Sequence, residues 1–498
     1  MYIKKIHIEN FKKFKGPFDL ELNEDLNIIV GNNEAGKSTV IEAIFLALTG
    51  MFRGKYLRNE LSQYLFNKEI VNDYIASVNT GNAQNPPKIL IEVYFGGNDA
   101  PALFNGSHNS ENSNEYGIRF EIEFNEKYND EYNSIIKNSI KLKSLPIEYY
   151  DIVWTSFAWD NITSRSVPLK VALIDSESGK LPNGSDIYIS RIVKDSLETD
   201  DIVKITQAFR SLQDDFSDNP SVSDINKNLK NTSKITNKEI EISVDMSSRN
   251  AWESFLMTYL DDIPFTYIGK GEQAIIKTNL ALGNKKASTA GVVLVEEPEN
   301  HLSHAKMNEL ISYIRKHCSG KQVIISTHSS FVANKLGLSK LLLLNESNVL
   351  KLSELNATTE AYFESLPGYN TLRLILCNKA ILVEGPSDEL VVQRAYLDKH
   401  EKLPIEDSID VISAYNLSFL RFLEIADKLA LNVCVVTDND GDVSALQNKY
   451  AAYLNRSNIK ICFDSNVDSF PTEIEGKPYN CNTLEPKLLK SNSLQVFN

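Results

Sequence analysis

The chain has 498 residues, 42% of them hydrophobic and 24% charged, with a formal net charge of −14. That length suits about three domains of ~100–200 residues, and the composition is that of ordinary globular protein, which excludes a disordered or fibrous chain. The acidic balance excludes indiscriminate coating of nucleic acid, although local clusters such as Lys12, Lys13 and Lys15, or Arg53, Lys55 and Arg58, can still follow phosphates. No apolar run reaches the roughly 18 residues of a membrane span, so no membrane partner is expected. The start MYIKKIHIEN lacks the apolar stretch of a signal peptide, and the five cysteines form no C-x-x-C pair. A reducing, cytoplasmic setting is the expectation.

In chain order, the apolar strand LNIIV (26–30) runs into GNNEAGKST, a G-x-x-x-x-G-K-S loop followed by a helix over Ser38–Leu48. Gly31, Asn32, Asn33 and Gly36 let backbone N–H groups curl around a phosphate. Lys37 supplies positive charge, and the Ser38 hydroxyl, with Thr39 beside it, reaches a nucleotide-bound Mg²⁺. Gln63, in ELSQYLF, is a candidate Mg²⁺-sensing glutamine. KILIEVYF (88–95) and RFEIEF (119–124) read as strands, and Asn105–Asn114 as a loop. No sustained heptads appear, which argues against a long coiled-coil ATPase. DIVKITQAFRSLQDDF and its polar surroundings read as a helical insertion.

Gly269-Lys270-Gly271-Glu272-Gln273 precedes a helical pattern over Ala274–Leu282. The strand Val292–Val295 then ends in Glu296-Glu297-Pro298-Glu299, and QVIISTHSS delivers His328 after another buried strand. In this order the motifs resemble the ATP-binding-cassette ATPases. By that resemblance Glu296 serves the Mg²⁺ shell, Glu297 polarises the attacking water and His328 reaches the γ-phosphate. Gly269, Gly271 and Gln273 resemble the signature motif that reaches a partner's nucleotide. Lys270 stands where transporters usually have serine, and HLSH (301–304) replaces H-L-H-P. IKKIHIENFKKFKG and EEPE resemble the chromosome-maintenance and repair branch, whose ATPases work as head-to-head pairs.

A new α/β rhythm starts near 366–380. The strand KAILVEG leads to a helix from about Ser387, then DSIDVISA (407–414), the helix SFLRFLEIADKL, and NVCVVTD (432–438). Two strand ends thus carry acids: Glu384, Asp388 and Glu389 in ILVEGPSDE, Asp438 and Asp440 in VVTDND. Carboxylates gathered this way repel one another unless a metal neutralises them, and two Mg²⁺-type ions are a standard means of phosphodiester cleavage. A calcium-loop reading of DNDGD fails, because Val443 stands where that loop needs glycine.

E-G-x-S-D-E with D-x-D resembles the Toprim domain of topoisomerases, primases and certain nucleases. The resemblance implies Glu384 as metal ligand and general base, Asp438 and Asp440 as ligands, and Asp388 or Glu389 completing the shell. Glu485, in NTLEP, matches a further acidic ligand. The ATPase followed by LPGYNTLRLILCNKAILVEGPSDE resembles the OLD (overcoming lysogenization defect) family of ATPase–Toprim nucleases. That family includes effectors of anti-phage systems such as Gabija and some retrons. It implies nicking or cutting of DNA with two Mg²⁺ or Mn²⁺ ions under ATP control, by homodimers or tetramers joined through the ATPase part. A helicase, or a reverse transcriptase with its RNA–DNA product, is the implied partner.

The fold class expected is therefore α/β. An ABC-type P-loop ATPase occupies 1–165 and 251–370, a mainly helical dimerisation insertion 166–250, and a small parallel-sheet Toprim domain 371–498. Family nucleases carry a lysine beyond the last acidic ligand. Here only Lys487 and Lys490 are available, so the Toprim domain is expected to be shortened or to continue past residue 498. The rival reading is an ATP-dependent sensor or scaffold with a catalytically silent Toprim domain.

Overall fold

The computed structural model describes residues 1–137, 142–175, 197–232, 257–283, 290–329, 340–345, 348–351, 379–414 and 419–492, apart from 54, 83, 98, 301, 318, 319, 471, 475 and 476, plus a few isolated residues between these ranges. Nearly all of the polar linker at 233–250, and the domain boundary around 366–372, lie outside the described residues.

The elements that position the sites begin with β1 (Tyr2–Glu9), β2 (Pro17–Glu21), β3 (Leu26–Gly31), α1 (Lys37–Thr49), β4 (Ile89–Gly96), β5 (Glu115–Phe124), β6 (Tyr150–Ser156) and β7 (Val171–Asp175). Next come α2 (Thr199–Ser217), α3 (Pro220–Thr232), α4 (Lys270–Gly283), β8 (Val292–Glu296), α5 (His304–His317), β9 (Gln322–Thr327), β10 (Leu341–Asn345) and β11 (Asn348–Lys351). The C-terminal part adds β12 (Lys379–Val383), α6 (Pro386–His400), β13 (Ile409–Ser413), α7 (Phe419–Lys428), β14 (Asn432–Val436), β15 (Ile459–Cys462) and α8 (Leu484–Ser491).

Three sheets organise these elements. The antiparallel sheet runs β2–β1–β4–β5, with β6 on the far side of β5. The second runs β7–β8–β9–β3–β10–β11 and is parallel except for β11. The third, β13–β12–β14–β15, is wholly parallel. Because strand side chains alternate, the second sheet feeds two cores. Ile29, Val292, Leu294, Ile324, Leu342 and Leu344 face the core shared with α1 and the antiparallel sheet. Ile28, Val30, Val293, Val295, Ile325 and Leu343 face the opposite core, which continues without a break into the C-terminal domain through Leu382, Phe419 and Leu423.

Beyond its first turn, and apart from Glu42, helix α1 is apolar and buried on both faces, as a helix held between two sheets must be. Its entry is steric as well. The β3–β10 pairing brings the Leu344 carbonyl so close to Gly31 that an added Cβ would lie 2.3 Å from its oxygen. Gly36 precedes α1 at φ 105, a conformation open to glycine. Gln322 ties the two sheets together: its amide oxygen accepts from Ile3 N–H (2.8 Å), and its Nε2 donates to the carbonyls of Ile3 (2.8 Å) and Asn23 (2.7 Å).

One sequence expectation needs correction. The insertion was expected to begin at residue 166, yet Val171–Asp175 pairs in parallel with β8 and belongs to the ATPase sheet. A five-residue apolar run has no periodicity that separates a buried strand from a piece of helix. The segment DIVKITQAFRSLQDDF lies within one helix of 19 residues, α2, followed closely by α3.

The Gln322 clamp generates a prediction. Gln322→Leu should lower the unfolding free energy by roughly 2–4 kcal/mol, because buried main-chain groups of β1 and of the turn after β2 lose a partner. Urea denaturation of the purified variant measures this.

Candidate functional site

The phosphate-binding loop lies between β3 and α1, at the carboxyl end of the central parallel strands, where open α/β sheets bind ligands. Lys13, Asn33, Glu34, Gly36, Lys37, Ser38, Thr39 and Glu297 line a cavity of about 400 Å³ there. The Lys37 ammonium donates to the carbonyls of Gly31 (2.9 Å) and Asn32 (3.0 Å). Burial pushes its pKa below the usual lysine value, against the pull of Glu297, Glu299 and Glu296. The first turn of α1 adds the positive end of a helix dipole, so the cavity suits an anion such as a nucleotide phosphate.

The neighbouring strands deliver the acids. Glu296 ends β8, and Glu297 follows at φ 40 with its N–H donating to Ser326 carbonyl (2.9 Å). A glutamate in the left-handed region stores strain of the kind that clusters at functional turns. His328, after β9, brings Nδ1 to 3.5 Å from Glu297 and 3.4 Å from Glu299. Glu299, which sequence reasoning did not single out, holds this corner. One of its oxygens accepts from the Thr327 hydroxyl (2.6 Å) and from the N–H groups of His328 (2.9 Å) and Ser329 (3.1 Å).

Other candidates lie apart from this cavity. Gln63 is not among its lining residues, and its amide oxygen accepts from Leu145 N–H (3.0 Å). Gly269, Gly271 and Gln273 do not line it either. Gly269 precedes α4, Gly271 lies in its first turn, and Gln273 donates to the carbonyls of Phe265 (2.9 Å) and Ile268 (2.8 Å). Helix α4 packs on β7, the strand three places from β3. Of the N-terminal lysines only Lys13 lines the cavity. Lys12 pairs with Glu42, and Lys15 with Glu69 and Asp73.

The second site is built at the carboxyl ends of β12 and β14, adjacent in their sheet. Glu384 follows β12, and its Oε1 accepts from the Thr437 hydroxyl (2.6 Å) and from Asp438 N–H (3.1 Å). Asp388 lies in the first turn of α6, and its carboxylate accepts from the N–H of the N-cap residue Gly385 (2.9 Å), just ahead of Pro386. Asp438 accepts from Leu484 N–H (3.1 Å) at the start of α8, which brings that distant helix to the site. Asp440 at φ 48 and Gly441 at φ 91 turn the chain away from the strand. The loop is braced by Asn439, which donates to the carbonyls of Asp464 and Asn466 (both 2.8 Å).

The carboxyls feel one another. Burial first, then Glu384, and then Asp388 and Asp440 push Asp438 up to about 6. Burial, with the charges of Glu384 and Glu485, also raises Asp388 against its bond from Gly385. Glu389 points elsewhere and accepts from Gln393 (3.2 Å) within α6. Lys487 pairs with Asp464, and Lys490 with Asp468 (2.7 Å). Among the described residues, no three His, Cys, Asp or Glu side chains already converge as a metal-binding group. The carboxylate oxygens are nevertheless the hard donors that Mg²⁺ or Mn²⁺ prefers, so the donor chemistry fits such an ion.

Comparisons with known proteins follow this division. The AAA domain family model (AAA_23) matches residues 5–262, more than half of the chain. The TOPRIM domain model of overcoming-lysogenization-defect-like proteins matches residues 375–440. The DNA replication and repair protein RecF of Clostridium tetani is 30% identical over 76 residues, which are 15% of this chain and 20% of RecF. RecF of Clostridium botulinum (strain ATCC 19397 / Type A) is 32% identical over 76 residues, 15% and 21% of the two chains. The chain thus spans about a fifth of the length of these curated relatives. The SMC head domain from Thermotoga maritima aligns with 70% of this chain and 97% of its own, at 14% identity and a TM-score of 0.31. An Smc head domain from Pyrococcus furiosus, solved with the C-terminal domain of ScpA, aligns with 71% and 97%, at 12% identity and a TM-score of 0.34. Scores this low leave the fold to be read from the strand order itself.

No helix among the described residues is long and apolar enough to cross a membrane. The chain belongs to the AAA-domain ATPase family, and it joins that ATPase to an OLD-like TOPRIM domain in one polypeptide.

Proposed function

We propose that the chain is an ATP-controlled, divalent-metal-dependent DNA endonuclease. The observation that carries this reading is the gathering of Glu384, Asp388 and Asp438 at adjacent strand ends, where burial first and then the neighbouring carboxylates raise Asp438 to about 6, in a chain that also holds a phosphate-binding loop. A cation relieves such crowding. Glu384, Asp388, Asp438 and Asp440 would hold one or two Mg²⁺ or Mn²⁺ ions, with Glu485 in reserve, and the ions would supply Lewis-acid activation and neutralise phosphate charge. The chain's own groups preset the donors. The Thr437 hydroxyl and Asp438 N–H fix Glu384, Gly385 N–H fixes Asp388, and Leu484 N–H fixes Asp438. Glu384 is the carboxylate we assign to proton acceptance.

In the ATPase, Lys37 and the loop N–H groups bind the phosphates, and Ser38 and Glu296 serve the nucleotide's Mg²⁺. Glu297 orients water beside His328. Gly269, Gly271 and Gln273, which do not line this copy's cavity, complete that of a second copy in our reading. The working unit is then a homodimer or tetramer. Resemblance to the OLD family extends the proposal to anti-phage defence, with a helicase or reverse transcriptase as partner. One observation favours a silent Toprim domain instead: Lys487 and Lys490 are held by Asp464 and Asp468 rather than by the carboxylate site.

Wild-type protein should nick supercoiled plasmid with Mn²⁺ or Mg²⁺ and not in EDTA, while Asp438→Ala/Asp440→Ala should lose nicking at least a hundredfold. Equal cutting by that variant would sink the nuclease reading. Calorimetric titration with Mn²⁺ separates the rival, since a silent domain shows no binding that depends on these carboxylates. Lys37→Ala should abolish ATP binding, and Glu297→Gln should keep binding while slowing hydrolysis by about 10²-fold or more, as measured by phosphate release.

A further inference from the structure

The core-facing side of the antiparallel sheet is apolar, with Ile6, Ile8, Ile91, Val93, Ile118 and Phe120 turned toward α1. Its opposite face instead carries His7, Glu9, Glu92, Arg119 and Glu121 in register across β1, β4 and β5. Glu92 is fully buried there and accepts from Arg119 (2.6 Å), the Tyr94 hydroxyl (2.9 Å) and Ser110 N–H (3.0 Å). A buried charge demands such complete satisfaction. In meeting it, Glu92 pins the loop around Ser110 over the sheet.

A second loop locks onto the first. His108 N–H donates to Phe157 carbonyl (2.9 Å), and Ser156 Oγ accepts from the N–H groups of Ala158 (3.2 Å) and Asp160 (3.3 Å). These bonds hold Trp159 at φ 71 and leave it 69% exposed. A single exposed apolar residue is unremarkable, but a bulky aromatic in the left-handed region is an outlier that its surroundings must enforce. The Trp159 ring lies flat on His108, with centroids 3.4 Å apart and planes at 5°. The pair walls a cavity of about 470 Å³ together with Glu9, Lys88, Asn109 and Arg119.

The charges around this cavity are already matched. Glu9 lies 3.0 Å from His7, Lys88 is 3.1 Å from Glu121, and Arg119 bridges Glu92 and Glu121. The cavity is therefore no anion hole. It offers a flat aromatic surface bordered by donors (Lys88, Arg119, the Asn109 side chain) and an acceptor (Glu9), in a volume typical of small-ligand sites. Flat rings with mixed donor and acceptor edges are nucleobases, and stacking on aromatic side chains is how single strands are held without sequence preference.

We propose that the Trp159–His108 cavity takes an unstacked base of a single-stranded nucleic acid. This rests on the nucleic-acid reading above and names a strand-holding subsite distinct from both acidic centres.

The test is fluorescence anisotropy of a labelled single-stranded oligodeoxynucleotide with the full chain in EDTA, so that no cutting intervenes. Trp159→Ala should weaken binding about tenfold, Trp159→Phe should keep most of it, and ATP hydrolysis should stay at the wild-type rate in both. An oligonucleotide of abasic sites should bind wild type as weakly as the ordinary one binds Trp159→Ala. Equal affinity of wild type for abasic and ordinary strands, or no loss in Trp159→Ala, overturns the proposal. Quenching of Trp159 by free nucleosides without any discrimination between strands overturns it too. Because base discrimination is read without metal, its failure leaves the plasmid-nicking result standing, and failure of nicking leaves the base subsite standing.

Discussion

Helix α1 is wedged between two sheets, and much of the molecule is arranged around that burial. Its ten buried residues cover both its faces, so neither sheet can move off it without exposing apolar surface. The helix begins at the phosphate-binding loop. The same packing that closes the core of the ATPase therefore fixes Lys37 and Ser38 at the cavity. Gly31 and Gly36 are needed at its entry for separate steric reasons, a carbonyl of β10 in one case and a left-handed turn against Phe14 in the other.

Both acidic centres use one geometric device. Parallel strands end together, so an acid placed after each of two neighbours meets the other across one strand spacing. Glu297 and His328 meet this way after β8 and β9, and Glu384 and Asp438 after β12 and β14. The two sheets share a core, and Asn345 at the end of β10 donates to the Leu429 carbonyl (2.9 Å), just before β14. Leu344, its neighbour, pairs with Gly31 of the phosphate loop. The Lys37 cavity and Asp438 are thus joined by packed strands and by the Asn345 side-chain bond.

The electrostatics of the two sites differ in kind. In the ATPase, acids and a buried lysine face each other, so opposite charges partly offset the burial of Lys37. In the Toprim domain the half-buried acids face one another, and what fixes their positions is a set of main-chain N–H donors and one threonine hydroxyl. The antiparallel sheet shows a third solution, in which Glu92 and Glu121 share Arg119.

Much of this was legible in the residues alone. GNNEAGKST after LNIIV, EEPE after VVLV and VVTDND after NVC are short apolar runs ending in chemistry, and strand ends are where such residues must act. Local pattern also identified the C-terminal β–α alternation, because each strand and helix there is bounded by turn residues. Tertiary structure alone decided the rest. Val171–Asp175 joined the ATPase sheet because β8 offers it a parallel edge, which no local pattern announces. Glu299 and Thr437 became supports through bonds to residues 28 and 53 positions away. Trp159 and His108 form one surface although 51 residues separate them. Sequence specifies what each strand end carries. Which strands lie side by side is set by burial on both faces of a sheet, and that is a property of the whole chain.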